Sequence, residues 1–353
     1  MLVTRQPALR RFWYPVVPIA QLSTEHPYPF QLLGQKIVLW LNASKQPVAV
    51  ADRCCHRSAQ LSKGAIANGC IRCPYHGWTY NGEGKCVNVP QFKPGQPIPA
   101  SYQVAAFQCV DRYDYAWVCL DEPLHPIPDI PEADDSSFRM IHEFYETWQV
   151  SGLRVIENSF DSAHGHFVHA SSWGDQGNPV PPPIDEIRET ATGFVMKHWL
   201  EVLNPELQQK NLGIAAEKTI RTNERRWFMP FARTLKIQYP NGLNHLIFTA
   251  YTPVSDRTSQ LVQFCLRNDT EADAKATEII AFDRQVTQED RDVLETTEYD
   301  APLSLTEEQH MASDKPGIII RHRLAALLRE YGEVEQRRTS TTSVQSQGVT
   351  TLH

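Results

Sequence analysis

No run of 18 or more apolar residues occurs in the 353-residue chain, which argues against a membrane-spanning helix. A basic excess is also missing. Lys plus Arg number 34 against 41 Asp plus Glu, a net charge of −7, which argues against a general nucleic-acid binder. The opening MLVTRQPALRRFWYPVVPIA offers only the apolar patch 16–20, flanked by Pro15 and broken by Pro18, which is no secretory core; a cytoplasmic protein is expected. No G-x-G-x-x-G follows a strand-like run, so no dinucleotide-binding motif is visible. No internal repeat is visible. Cysteine, by contrast, is concentrated: seven of the eight fall between 54 and 119. Without a secretory leader, such a cluster points to a metal or cluster site rather than a disulfide framework.

The length suits one large or two ordinary domains. Residues 12–125 read as a β-rich unit, with strand-like runs at 36–41, 48–50 and 115–120 separated by turn signals such as Asn81-Gly82 and Pro94-Gly95. Residues 121–137 carry Pro123, Pro126, Pro128 and Pro131 and read as a linker, which places a boundary near 130. The second unit, 131–335, starts with a strand-like run at 138–150 and helical character over 152–169. Alternating runs at 193–203, 219–239, 244–254 and 260–267 predict an antiparallel sheet. One long helix is expected over 271–298 and a short one over 324–331. The Ser/Thr-rich tail, 336–353, is expected to be disordered. The fold class is therefore α+β: an all-β N-terminal domain and a sheet-plus-long-helix C-terminal domain.

Two segments carry chemistry. The first pairs Cys54-Cys-His56 with Cys73-Pro-Tyr-His76. Each loop sets a thiolate beside an imidazole, so two thiolates can hold one iron and two imidazoles the other, as in a Rieske [2Fe–2S] centre. Structural zinc sites pair like with like, C-x₂₋₄-C and H-x₃₋₅-H, and fit this spacing poorly. Gly64, Gly69 and Gly77 supply backbone freedom near the loops. The second segment is Glu157-Asn-Ser-Phe-Asp161-Ser-Ala-His164-Gly-His166-Phe-Val-His169. Asp161 and His164 are three apart and share a helix face. His169 requires a turn near 165–169 to return to that face, and His166 points away. Two imidazoles and a carboxylate would leave open positions on iron for O₂ and substrate. The long helix offers Asp283, Glu289, Asp290 and Asp292 as that carboxylate.

The run from Cys54 to Gly64, followed by Cys73-Pro-Tyr-His-Gly-Trp-Thr-Tyr80, closely resembles the Rieske non-haem iron oxygenases, the aromatic ring-hydroxylating oxygenase α-subunit type. The segment Asp161-x₂-His164-x₄-His169 resembles the same family's iron motif. The likeness runs from Trp13 to about residue 330. It is nearest to chlorophyllide- and pheophorbide-oxygenase-like members and to cyanobacterial saxitoxin-tailoring-type ones. One departure is Cys55, which stands where proline is common and is read as a bystander to Cys54.

The resemblance implies that Cys54, His56, Cys73 and His76 hold the [2Fe–2S] cluster and that His164 and His169 hold a mononuclear Fe(II). Gln288-Glu-Asp290-Arg-Asp-Val-Leu-Glu295 resembles the family's ligand-aspartate context and makes Asp290 the third ligand, with Asp283 as runner-up. Asn158 matches an asparagine near the iron. Asp161 would bridge His164 to His76 of a neighbouring subunit in a head-to-tail homotrimer. A helix-grip second domain is implied, its pocket walled by strands that carry Trp199, Trp227, Phe228, Phe231, Tyr239, Phe248 and Tyr251. The implied activity uses O₂, with electrons from an external ferredoxin or NAD(P)H reductase. It hydroxylates or oxidatively demethylates an apolar, ring-containing small molecule of secondary or aromatic metabolism, or else a tetrapyrrole. Two readings of another class are an electron carrier fused to a ligand-binding grip domain, and a zinc-stabilised binding protein.

Overall fold

A computed structural model describes residues 1–338. The N-terminal part holds two antiparallel sheets. The larger is formed by β1 (Tyr14–Pro18), β2 (Tyr28–Leu32), β3 (Gln35–Leu41), β4 (Pro47–Ala51), β9 (Ala106–Arg112) and β10 (Tyr115–Cys119), in the order β1-β10-β9-β4-β3-β2. The smaller is a meander of β5 (Ala65–Ala67), β6 (Cys70–Arg72), β7 (Thr79–Tyr80) and β8 (Cys86–Asn88). The Cys54 loop precedes this meander and the Cys73 loop joins its strands β6 and β7, and the adjoining core holds Trp40, Leu61, Ile71, Trp78 and Tyr80.

The second part is one seven-stranded antiparallel sheet. Its strands are β11 (Arg139–Trp148), β12 (Glu186–Thr190), β13 (Gly193–Leu203), β14 (Lys218–Phe228), β15 (Ala232–Gln238), β16 (Asn244–Pro253) and β17 (Ser259–Arg267). They are ordered β11-β17-β16-β15-β14-β13-β12. Helices α1 (Gly152–Phe160), α2 (Gly165–Val168), α3 (Glu206–Leu212), α4 (Ala276–Leu294) and α5 (Lys315–Glu330) complete it. One apolar cluster joins the N-terminal strands Val16, Ile37 and Leu39 to Ile156, Phe160, Trp227, Ile320 and Leu324. The opposite sheet face is covered by the 113–133 segment, where Tyr115, Trp117 and Ile130 pack with Phe248 and Phe264.

The structure departs from the sequence-based expectations in four places. The run 219–239 is two strands, because Met229-Pro230-Phe231 makes a turn between β14 and β15. The long helix is shorter than 271–298. Asp273 takes the Thr270 amide and hydroxyl into a turn before it, and the Thr296 and Thr297 hydroxyls bond Val293 and Leu294 carbonyls at its end. The last helix starts at Lys315 rather than 324, since Pro316 is tolerated in a first turn, where no amide partner is needed. The tail is anchored through 338: Arg337 pairs with Asp300 and Glu307, and the Leu2 amide bonds the Gln336 carbonyl. The rest of that tail, 339–353, lies outside the described residues.

Candidate metal centres

The two cysteine loops are built alike. The Cys54 amide donates to the Ala59 carbonyl and the Ser58 amide to the Cys54 carbonyl. In the second loop Cys73 donates to Trp78 and Gly77 to Cys73. The fourth residue after each cysteine has a positive φ, 57° at Ser58 and 76° at Gly77, a conformation most side chains resist. Both cysteines are buried. The His56 and His76 rings meet at 4.6 Å, and His56 stacks flat on Trp78 at 4.5 Å. Trp78 is held by Gln91 Oε1, and Gln91 donates back to the His76 carbonyl. The Tyr80 hydroxyl lies 3.1 Å from Cys54 Sγ and 3.3 Å from Cys55 Sγ, where it can donate to a thiolate. Partial burial, then neighbouring His76, keeps the His56 imidazole below its ordinary value, which favours the neutral ligand form.

The second centre forms between α1, α2 and α4. Helix α1 stops at Asp161, whose backbone is extended. Its carboxylate accepts the Ala163 and His164 amides, so it ends one helix and starts the next turn. The chain break therefore falls at 161–163, before the turn expected at 165–169. Asp161 and His164 meet through this turn rather than along a shared helix face, with Oδ2 3.3 Å from His164 Nδ1. His169 Nδ1 meets Glu289 Oε2 at 2.9 Å. Both outer ring nitrogens are thus occupied, and both Nε2 atoms turn to Asp290 Oδ1, at 3.5 Å from His164 and 3.4 Å from His169. One ligand atom from each of the three lies within 4.8 Å of the others. Asn158 Nδ2 donates to the same Asp290 oxygen at 3.0 Å.

Burial opposes ionisation of Asp161, but the His164 ring and the two amides outweigh it and hold the carboxyl below its ordinary range. Burial, though opposed by Asp290, lowers His169. A Cβ on Gly165 would come within 2.4 Å of the Trp173 ring, which packs against the His169 ring at 4.9 Å. His166 turns away, its Nδ1 accepting the Asp175 amide.

The other helix carboxylates separate clearly. Asp292 is exposed and takes Gln288 Nε2. Asp283 is buried in a different group with Glu143, His245 and Cys265. Glu289 holds His169, Ser171 and Ser172, a role that no local spacing announced.

A cavity of about 110 Å³ opens beside His164, His169 and Asp290. Of the seven aromatics expected to wall it, only Tyr239 does. Trp199 is exposed, Phe248 packs on the opposite sheet face, and Trp227, Phe231 and Tyr251 belong to the apolar core. Phe228 lines a separate cleft beside Trp13. Strand parity decides this. The inward positions of β14 are Thr219, Arg221, Asn223, Arg225 and Trp227, so the walls are His198, Arg221, Arg225, Arg233 and His245, with Leu235, Ile237 and Ile247 between them. Burial, then Arg225 and Arg221, brings His198 down to about 3, so it is neutral. Burial, then Arg233 and Arg221, brings Arg225 down to about 9.

Residues 12–109 match the Rieske [2Fe-2S] domain family, and residues 148–330 match the vanillate O-demethylase oxygenase C-terminal domain family. The chain is a Rieske non-haem iron oxygenase. Over 339 residues the oxygenase is 31% identical to methylxanthine N1-demethylase NdmA of Pseudomonas putida, covering 93% of this chain and 92% of that one. It shares a TM-score of 0.78 at 29% identity with the solved Pseudomonas putida CBB5 NdmA QL mutant with theobromine, over 92% of each chain. A dicamba monooxygenase structure, at 21% identity, shares the fold with a TM-score of 0.78 over 93% of this chain and 99% of that one. The oxygenase is an oxidoreductase with a Rieske cluster, a mononuclear iron and an external electron donor.

The residues present suit both groups. His56 Nδ1 is buried without a partner, an orphan that a metal bond would satisfy. The donor set of two thiols and two imidazoles is that of a Rieske centre. The two Nε2 atoms and the Asp290 carboxylate form the two-His, one-carboxylate set of an oxygen-activating iron. No helix among the described residues is long and apolar enough to cross a membrane.

Proposed function

We propose that the oxygenase removes or hydroxylates a methyl group on a small ring compound, with His164, His169 and Asp290 holding the iron and Cys54, His56, Cys73 and His76 holding the cluster. The observation that carries this reading is the convergence of His164 Nε2 and His169 Nε2 on Asp290 Oδ1 while Asp161 and Glu289 hold the outer nitrogens. Partners of that kind fix tautomer and ring orientation and raise ligand basicity. The matched demethylase domain and the methylxanthine N-demethylase relatives support a methyl substrate on nitrogen or oxygen.

When bound, the iron supplies O₂ activation, fed by electrons from the cluster. The protein's own groups do the rest. Asn158 donates a hydrogen bond to Asp290 Oδ1, and Trp173 packs against the His169 ring. Across the reaction, O₂ with two electrons and two protons yields water and a hydroxylated carbon. A hydroxymethyl group on nitrogen or oxygen then leaves as formaldehyde.

A cluster-bearing domain, 1–130, and an iron-bearing domain, 131–335, divide these tasks in a cytoplasmic enzyme served by a ferredoxin or NAD(P)H reductase. Asp161 bridges two subunits of a homotrimer. Its Oδ2 holds His164, and its exposed part accepts the His76 ring of a second copy. The side chains of Asp161 and His76 are both partly accessible in the single chain, which suits that contact.

The test is metal and sulfide content with EPR of dithionite-reduced protein, followed by formaldehyde release with a ferredoxin system. About three irons and two sulfides per chain with a Rieske signal support the reading. Two irons, with no Fe(II) uptake on titration, would leave only an electron carrier. Asp161→Asn should keep both metals yet slow turnover; unimpaired turnover removes the bridge.

A further inference from the structure

Two of the four arginines buried among the described residues, Arg267 and Arg321, have acid partners, as does the half-buried Arg139. Arg267 and Arg139 both pair with Asp269, and Arg321 pairs with Glu157 and Glu308. The arginines of the iron-side cavity do not. Among the described residues, Arg221 hydrogen-bonds only the Tyr239 hydroxyl, and Arg225 only the Asp161 carbonyl and Ser162 hydroxyl, all at 3.4–3.5 Å. Arg221 Nε and Arg233 Nε and Nη1 are buried with no partner. Arg221 and Arg225 are each more than nine-tenths buried. Uncompensated buried charge is costly, so such groups await a counter-charge.

The sheet register concentrates them. Arg225 faces Leu235 and Trp227 faces Arg233, which makes Arg225 and Arg233 diagonal neighbours on the inward face. Arg221 lies four residues before Arg225 on that face, beyond Asn223, its guanidinium 5.3 Å from the centre of the Trp173 ring. Asp161 and Asp290 act on Arg225 from the iron side, but neither forms an ion pair with it among the described residues. Asp283 and Glu143, on which Arg233 acts, have carboxyls pushed up, by burial first, in a group with His245 and Cys265. That group has the donors of a metal site, but Arg267, Arg221 and Arg139 act on His245 and Arg233 on Glu143, which disfavours a second cation there.

We propose that the substrate carries a carboxylate, which docks on Arg225 and Arg233 with Arg221 behind them. The pocket thereby selects ring acids over their neutral counterparts. This rests on the reading of His164, His169 and Asp290 as the oxidising centre, which the same cavity adjoins. A planar guanidinium pair suits a carboxylate bidentately, and the low-dielectric wall strengthens the contact.

The test titrates Fe(II)-loaded holoenzyme anaerobically by calorimetry with benzoate and 4-methoxybenzoate, each against its amide. At least one acid should bind tenfold or more tightly than its amide. Arg225→Gln and Arg233→Gln should each weaken the acid at least tenfold and the amide less than threefold, while Arg233→Lys keeps part of the preference. Equal affinity of both acids and their amides, or a preference that survives both Gln variants, overturns the proposal. If Arg225→Gln does not fold, Arg233→Gln and the wild-type ratio decide. Asp290→Ala separates the two readings: it should lose iron but keep the acid preference. Retained iron there refutes the ligand assignment and leaves the acid test intact.

Discussion

Glu289 is the residue whose replacement tests the iron centre most sharply. It touches no ligand atom of that centre. Its carboxylate accepts His169 Nδ1 at 2.9 Å and the Ser172 hydroxyl at 2.8 Å, and it also takes the Ser171 hydroxyl. Glu289→Ala frees the His169 ring to rotate and to exchange tautomers, and removes the charge that makes Nε2 a better donor. Loss of such a partner weakens metal affinity by about 10–100-fold, or ~1.4–2.7 kcal/mol. The imidazole is already held down by burial, so it gains no compensating proton when the carboxylate goes. Fe(II) affinity is measured by chelator competition on protein whose mononuclear iron has been removed, with the visible cluster spectrum as an internal control. Glu289→Gln keeps an acceptor oxygen and should recover most of the affinity. Fe(II) binding within threefold of wild type in Glu289→Ala, with the cluster spectrum intact, refutes the orienting role.

Other outcomes follow from the same geometry. Asp290→Ala should empty the mononuclear site while Asp283→Asn keeps it, read as iron per chain; the reverse result makes Asp283 the ligand. Gly64→Ala would drive a Cβ to 1.9 Å from the Arg72 carbonyl oxygen, and should cost ~1–3 kcal/mol or more, read from the urea midpoint with loss of the cluster spectrum. Burial opposes ionisation of Glu308, yet Arg154 and Arg321 outweigh it and bring the carboxyl down from 4.5 to about 2. Its stabilising contribution is therefore full above pH ~4.5 and is lost as pH falls toward 2. Glu308→Gln should flatten stability across that window, and an unchanged acid limb contradicts the pairing.

What was legible in the sequence was local. Each cysteine loop encodes its own turn, so Cys54-x-His56 and Cys73-x-x-His76 mark two matched loops whose imidazoles the fold brings together. Strand β13 and the ends of the outer strands follow from alternation. The inward face of β14 does not. Ile220 is exposed, while Arg221, Asn223 and Arg225 face the cavity. A face built to bind something polar inverts the pattern that usually marks a core. The same inversion put six of the seven expected aromatics elsewhere and left only Tyr239 on the cavity wall. Glu289 was hidden for another reason: it lies 120 positions from His169, and nothing in a helix of acids distinguishes the one that meets a ring.

The two acids on helix α4 draw the oxidising centre and the recognition wall into one geometry. Asp283 and Asp290 are seven residues apart, about 10 Å along the helix, on nearly the same face. Asp290 looks at two imidazoles. Asp283 looks at Glu143 and His245, and burial, then Glu143, favours its protonated form. A protonated carboxyl donates hydrogen bonds and leaves the nearby guanidinium charge unneutralised, so the arginines stay available to a ligand. Were Asp283 ionised, it would act as their internal counter-ion and compete with an incoming acid. A substrate held at the arginines by its carboxylate shares one cavity with His164, His169 and Asp290, so its methyl group can face that centre. Regiochemistry then depends on the span between acid and methyl, and ring acids that are too long for it should bind without being oxidised.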